Sequence, residues 1–130
     1  MSAGGFVLRA AHYPGRAAID AYGDGGFRFA DMSHRGDLLC LPSGIYGWQA
    51  PPASALDEAA LAKVFVEADS IEVLFVGTGT DLVPLAAPLR ARLREMGIVA
   101  EPMATGAAVR TFNVLLAEGR AVAAALIAVD

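Results

Sequence analysis

The run Val73-Leu74-Phe75-Val76 is apolar on both faces of any strand it forms, and it leads straight into Gly77-Thr78-Gly79. A strand without a polar face has no side to offer to water, so it needs helices above and below it. The neighbouring segments supply such covers. Upstream, Ser54 or Asp57 can cap a helix running to about Ala68, with Leu61, Val64, Phe65 and Ala68 at helical spacing. Downstream, a second helix is expected over 83–96, with Leu85, Leu89 and Leu93 four residues apart, Pro84 in its first turn and a kink at Pro88. Gly97 stops it, and 98–103 reads as the next strand. Thr105 then caps a third helix over 106–118, Gly119 ends it, and 121–129 is the last strand. A strand, helix, strand order implies parallel pairing of the strands near 71–76 and 98–103 through a right-handed crossover.

The first forty-odd residues have a different texture. Residues 17–22 read as a short strand, Gly23-Asp24-Gly25-Gly26 as a tight turn and Phe27-Arg28-Phe29 as the return strand. Leu38-Leu39-Cys40-Leu41 is a second buried run, Pro42-Ser43-Gly44 interrupts it, and Ile45 to Trp48 resumes an extended path. The expected fold class is therefore α/β: three layers, a mixed central β-sheet flanked by helices, with an N-terminal antiparallel β segment. There is no internal repeat and no linker, so residues 1–130 read as a single domain, with 1–5 as a loose tail.

Composition narrows the function classes. Lys+Arg is 10 against Asp+Glu 14, a formal net charge of -4, and Lys63 is the sole lysine. A scattered, net-acidic surface is a poor ligand for a polyphosphate backbone, so no nucleic-acid partner is expected. Mean hydropathy is high at +0.48, yet no apolar run approaches the roughly 20 residues that span a bilayer. The first residues lack the basic and apolar regions of a secretory signal, so the expected location is cytoplasmic. Cys40 is the only cysteine, which excludes an internal disulfide, and its apolar surroundings read as core. No metal-ligand spacing and no cofactor fingerprint appear: where a dinucleotide motif needs glycine or alanine three residues past Gly79, Leu82 stands.

Three stretches together carry a family resemblance: the run from Gly36 to Trp48 that contains Leu41-Pro42-Ser43-Gly44-Ile45-Tyr46-Gly47-Trp48, the run Val73-Leu74-Phe75-Val76-Gly77-Thr78-Gly79, and the run from Met103 to Arg120 that contains Arg110-Thr111-Phe112-Asn113 and Glu118-Gly119-Arg120. The combination resembles the small single-domain family that includes mitochondrial respiratory complex I assembly factor three and the adipogenesis-associated domain protein. The resemblance covers about residues 19–129 and implies a three-layer α/β fold. It implies no established reaction. It does imply work through protein partners, here a membrane complex subunit or assembly intermediate, with peripheral attachment to the membrane through that partner.

The residues also suggest a cleft. Strand ends next to helix starts are where open α/β sheets bind ligands. Glycines there let backbone N–H groups approach an anion. The candidate ligand-binding set is Pro42, Ser43 and Gly44, Gly77, Thr78 and Gly79, and Thr105, Arg110 and Asn113, the last two on one side of a helix. A more ordinary role stands beside each: Ser43 as a turn serine, Gly77 to Gly79 as a tight turn, Asn113 as a residue satisfying a buried loop. His34 beside Arg35 reads as a surface histidine in a polar turn. No nucleophile and base pair and no carboxylate dyad can be argued, so no catalytic residue is expected. Tyr46 and Trp48, with Arg110, are candidate partner anchors if exposed, since aromatics and arginine are enriched at interface hot spots. The leading expectation is a non-enzymatic protein-binding or assembly module. The alternative is an anion-binding protein, or an enzyme, using the strand-end cleft.

Overall fold

Two sheets hold the strands of residues 13–130, the part of the chain that this computed structural model describes. The expected tail at 1–5 lies outside the described residues. The larger sheet contains β1 (Tyr13–Pro14), β5 (Asp37–Leu41), β6 (Gly44–Trp48), β7 (Val73–Gly77), β8 (Val99–Met103) and β9 (Val122–Leu126), in the spatial order β1-β6-β5-β9-β7-β8. The smaller is the antiparallel meander β2 (Ala21–Gly23), β3 (Gly26–Phe29) and β4 (Met32–Arg35). The helices are α1 (Ala62–Val66), α2 (Ala87–Glu95) and α3 (Thr105–Ala117).

The large sheet is mixed. β7 pairs in parallel with β8 on one side and with β9 on the other, while β5 pairs antiparallel with both β9 and β6. Alternation along the central strands divides the core in two. Leu39, Leu41, Leu74, Val76, Ala123 and Ala125 face Leu56, Leu61 and Val64 from the α1 region, Leu85 from the segment before α2, and Leu89 and Leu93 from α2. Leu38, Cys40, Phe75, Val122, Ala124 and Leu126 face Ala108, Val109 and Phe112 of α3, together with Ile19, Phe27 and Phe29 of the N-terminal β segment. The layers are therefore α1 with α2, the large sheet, and α3 beside the small sheet. Ala123, Ala124 and Ala125 are wholly buried. Their small side chains let both outer layers close on β9.

Both long helices end as expected. In α2, Gly97 (φ 85°) gives its N–H to the Arg94 carbonyl at 2.9 Å and Ile98 gives its own to Leu93 at 3.0 Å. In α3, Gly119 and Arg120 repeat the arrangement on Leu116 and Leu115. These are Schellman caps, which need the left-handed conformation that glycine adopts without strain.

Several elements differ from expectation. The first helix is short and irregular. Trp48 Nε1 donates to the Ala60 carbonyl at 2.9 Å, and Val64 N turns to Leu61 instead, at 2.9 Å, a 3₁₀ step. Regular α-helix is left only at Ala62–Val66, between 3₁₀ turns at Ala53–Ala55 and Ala68–Ser70. The second helix begins at Ala87, with Pro88 in its first turn, so Pro88 helps start the helix and does not kink it. The first strand of the small sheet starts at Ala21 and the last strand of the large one stops at Leu126. β4 was not expected at all. Its hairpin turns on Ala30 (φ 47°) and Asp31 (φ 61°), a pair without glycine that carries no ordinary turn signal. His34 therefore sits in a strand, half-buried, with Nε2 3.0 Å from the Asp37 carbonyl.

The packing of β9 makes a prediction. Ala124→Leu should lower unfolding free energy by about 1–3 kcal/mol through overpacking. Ala117→Leu, on the exposed side of α3, should stay within about 0.5 kcal/mol of wild type. Urea denaturation followed by circular dichroism reads both.

Candidate functional site

Three strands and a helix meet where β7 ends. Gly77 accepts from Ile127 N at 2.9 Å, just past β9, and Thr78 N donates to Met103 O, the end of β8, at 2.8 Å. Gly79 (φ 106°) turns the chain, and Thr105 N at the start of α3 donates to its carbonyl at 2.8 Å. The Thr105 hydroxyl completes the junction. It accepts from Gly79 N at 2.9 Å and donates to Ile127 O at 2.7 Å. Thr105 is fully buried and is the first residue of α3. It makes no side-chain cap, because its hydroxyl faces the sheet. Gly77 is needed for this approach: a Cβ there would lie 3.0 Å from Thr105 Oγ1 and 3.1 Å from Leu126 Cδ2.

Thr78 is almost as enclosed. Its Oγ1 accepts from Val83 N at 3.0 Å and lies 2.7 Å from Asp81 O and 3.0 Å from Met103 O. The N–H groups of Thr78 and Gly79 that an anion cradle would use are therefore both engaged by oxygen atoms of the chain itself. Tyr22 lies against the start of α3, with its ring and hydroxyl over Gly106, where an added Cβ would force the tyrosine aside.

The other expected site residues lie elsewhere. Following the register from β7 through β9 to β5, Leu38 is level with Gly77, and Pro42-Ser43-Gly44 is level with the start of β7. Strand rise puts Ser43 roughly 20 Å from Thr78 along the sheet. The expected convergence of these segments on one pocket does not occur. Ser43 instead forms a clamp on the end of α1. Its N–H and hydroxyl donate to the two oxygens of Glu67, at 2.9 and 2.5 Å, and its Oγ lies 2.6 Å from the Tyr46 hydroxyl. Because the serine proton goes to the carboxylate, the tyrosine donates to the serine. Lys63 Nζ stands 5.0 Å from the centre of the Tyr46 ring, a cation–π contact. Tyr46 and Trp48 are half-buried and pack on the α1 side of the core, so they are not the exposed anchors considered from sequence.

Asn113 does not share a cleft with Arg110. Its side-chain oxygen accepts from Ile19 N at 2.9 Å and its amide donates to Ile19 O at 2.8 Å, so it takes up both backbone groups of one residue, as a neighbouring strand would. Arg110 is exposed on α3. Cys40 is buried, and burial pushes its thiol far above the usual range, which keeps it protonated and unreactive. Among the described residues no group of three or more His, Cys, Asp or Glu side chains comes together to hold a metal ion.

Asp37 is a structural carboxylate whose role sequence reasoning missed. Oδ1 accepts from Ala128 N at 2.8 Å and Oδ2 from Ala50 N at 3.0 Å. With Thr105 bonded to Ile127 O, it secures the chain just beyond β9 from both sides. Its only signal was its place after Gly36 (φ 103°), at the head of an apolar strand.

The junction carries a prediction. Thr105→Val would strand Gly79 N–H and Ile127 C=O in the interior, at a cost of about 2–4 kcal/mol. Thr105→Ser keeps both bonds and should remain within about 1 kcal/mol of wild type. Denaturant unfolding of both variants checks this; equal stability of the valine variant would remove the hydroxyl from its place in the junction.

Comparison with known proteins places the chain in a family and supports its fold. Residues 19–127 match the family model described as a protein of unknown function, DUF498/DUF598. An uncharacterised protein of Rhodobacter capsulatus is 40% identical over 115 residues, covering 88% of this chain and 87% of its own. The mouse protein named NADH dehydrogenase [ubiquinone] 1 alpha subcomplex assembly factor 3 is 30% identical over 120 residues, covering 92% of this chain. The chain spans 65% of that relative's length. Among solved structures, a Bartonella henselae protein described as an outer membrane protein superposes with a TM-score of 0.86 at 58% identity, over 91% of this chain and 99% of that one. A Bordetella pertussis protein described as a Mth938-like domain gives 0.75 at 27% identity, over 86% of this chain and 85% of that one. The expected three-layer α/β class is thus observed, and the chain belongs to the DUF498/DUF598 family.

Proposed function

We propose that this chain is a non-enzymatic assembly module that binds a subunit or intermediate of a membrane respiratory complex of the complex I type. The observation that carries this reading is the kinship with assembly factor 3. The family match runs over residues 19–127, every element of the fold but β1, and the kinship with assembly factor 3 extends over 120 residues, so neither is confined to one motif. The strand-end junction adds support from chemistry. Its donors are engaged by the chain's own carbonyls and by Thr105, so it offers a rigid platform in place of a preformed anion cradle. For that reason the anion-binding and enzymatic alternatives gain nothing from the junction.

The location follows from the same reading. Among the described residues no helix is long and apolar enough to cross a membrane. On this reading, attachment comes through the partner, at the cytoplasmic face. Arg110 remains a candidate contact because it is exposed, whereas Tyr46 and Trp48 face inward.

Fractionation tests the proposal. In a host carrying the complex, the protein should sediment with inner membranes and return to the supernatant when the complex's membrane subunits are deleted. Recovery with outer membranes, or binding of the purified protein to bare lipid vesicles, would contradict it.

A further inference from the structure

Among the described residues β8 is an edge of the large sheet, at the end opposite β1. β8 pairs with β7 and, among the described residues, with nothing beyond it. Val99 N donates to Glu72 O and Thr78 N donates to Met103 O, so residues 99, 101 and 103 point their backbone groups at β7. By alternation Ala100 N–H, Ala100 C=O and Pro102 C=O point outward. Pro102 has no N–H, which shortens the usable edge and discourages indiscriminate strand pairing.

Beside this edge runs α2. Its residues Arg90 and Arg94 are one turn apart, exposed, and share a groove of about 190 Å³ with Ile98, Val99, Ala100 and Pro102. Neither arginine makes an ion pair among the described residues, while Arg92 between them is bonded to Glu58 and Glu95. The two faces of β8 differ. Ala100 and Pro102 lie on the α2 side, near the arginines, as Leu74 and Val76 do in β7. Val99, 54% exposed, and Glu101, the one carboxylate on the groove, lie on the α3 side.

We infer that the β8 edge and the Arg90–Arg94 face of α2 form a docking groove for an extended acidic segment of a partner protein, which joins the sheet next to β8. The inference rests on the assembly reading and gives it a surface. Three backbone hydrogen bonds, two at Ala100 and one at Pro102 C=O, supply the register. Side chains of the incoming strand alternate, so carboxylates fall beside Arg90 and Arg94 and apolar residues fall beside Val99. An acidic partner is favoured because the groove carries two guanidinium groups that make no ion pair among the described residues, against the single carboxylate of Glu101 on the other face of β8.

The test is a titration of the full, isotopically labelled chain with the blocked peptide Glu-Val-Glu-Val-Glu-Val, followed through amide resonances. Shifts should concentrate at Ile98 to Glu101, at Met103 and on α2. The double variant Arg90→Glu, Arg94→Glu should bind at least tenfold more weakly with unchanged circular dichroism. The same peptide methylated on alternate backbone nitrogens should also lose at least tenfold. Equal binding by Lys-Val-Lys-Val-Lys-Val, shifts centred elsewhere, or affinity that survives the charge reversal would overturn the groove. So would pairing of two copies through this edge that the acidic peptide does not displace. If peptide binding fails while inner-membrane recruitment of the double variant persists, the groove is wrong and the assembly reading stands without it.

Discussion

The fold depends on the double pairing of β9. The last strand of the chain lies between β5, which it meets antiparallel, and β7, which it meets in parallel. Without it the N-terminal β half and the C-terminal α/β half would share no sheet. Because it is buried on both faces and paired on both edges, each side chain along it has to fit one outer layer or the other. The run of alanines at 123–125 is the answer to that constraint. Larger residues would hold α3 and the small sheet off one face, or α1 and α2 off the other.

Gly77 and Thr105, first considered as parts of a ligand cleft, serve the same strand together with Asp37. Thr105 bonds Ile127 O, Gly77 takes Ile127 N, and Asp37 takes Ala128 N, so the chain leaving β9 is held by three separate elements. A serine or threonine hydroxyl is suited to such a place, since it donates and accepts at once. Buried polar groups that satisfy each other this fully favour one arrangement of the elements over others. They also leave few unused donors for a ligand, which moves the search for function from the strand ends to the surface.

Much of the architecture was legible because the periodicities were strong. Leu85, Leu89 and Leu93 marked α2, the run at 73–76 marked a strand covered on both sides, and Gly97 and Gly119 marked helix ends. What was not legible depended on long-range partners. Trp48 takes a carbonyl from the α1 region and breaks what the local pattern reads as one helix. The Ala30-Asp31 turn hid β4, since neither residue advertises a positive φ. For the site, Gly77 to Gly79 and Thr105 were correctly drawn together, since a strand end and the next helix start are neighbours in an α/β unit. Pro42 to Gly44 was misplaced because its position depends on β5 running opposite to β7, and strand direction is not written in local sequence. Asp37 was passed over for a similar reason: its partners, Ala50 and Ala128, are remote in the chain.

The resulting picture is a rigid platform whose interior is committed to holding two halves together and whose edges are left for partners. The parts of the molecule with least support are at its periphery, among them the small hairpins and the β8 edge, and those are the places where a partner can bind without disturbing the centre. Native-state hydrogen exchange measured amide by amide tests this hierarchy most directly. The account predicts that Ala123, Ala124 and Ala125 exchange only through global unfolding, with the same free energy as denaturant melting, while amides of the β2–β3 hairpin open at lower cost. Exchange of the β9 amides at a lower free energy than those of the hairpin would contradict it.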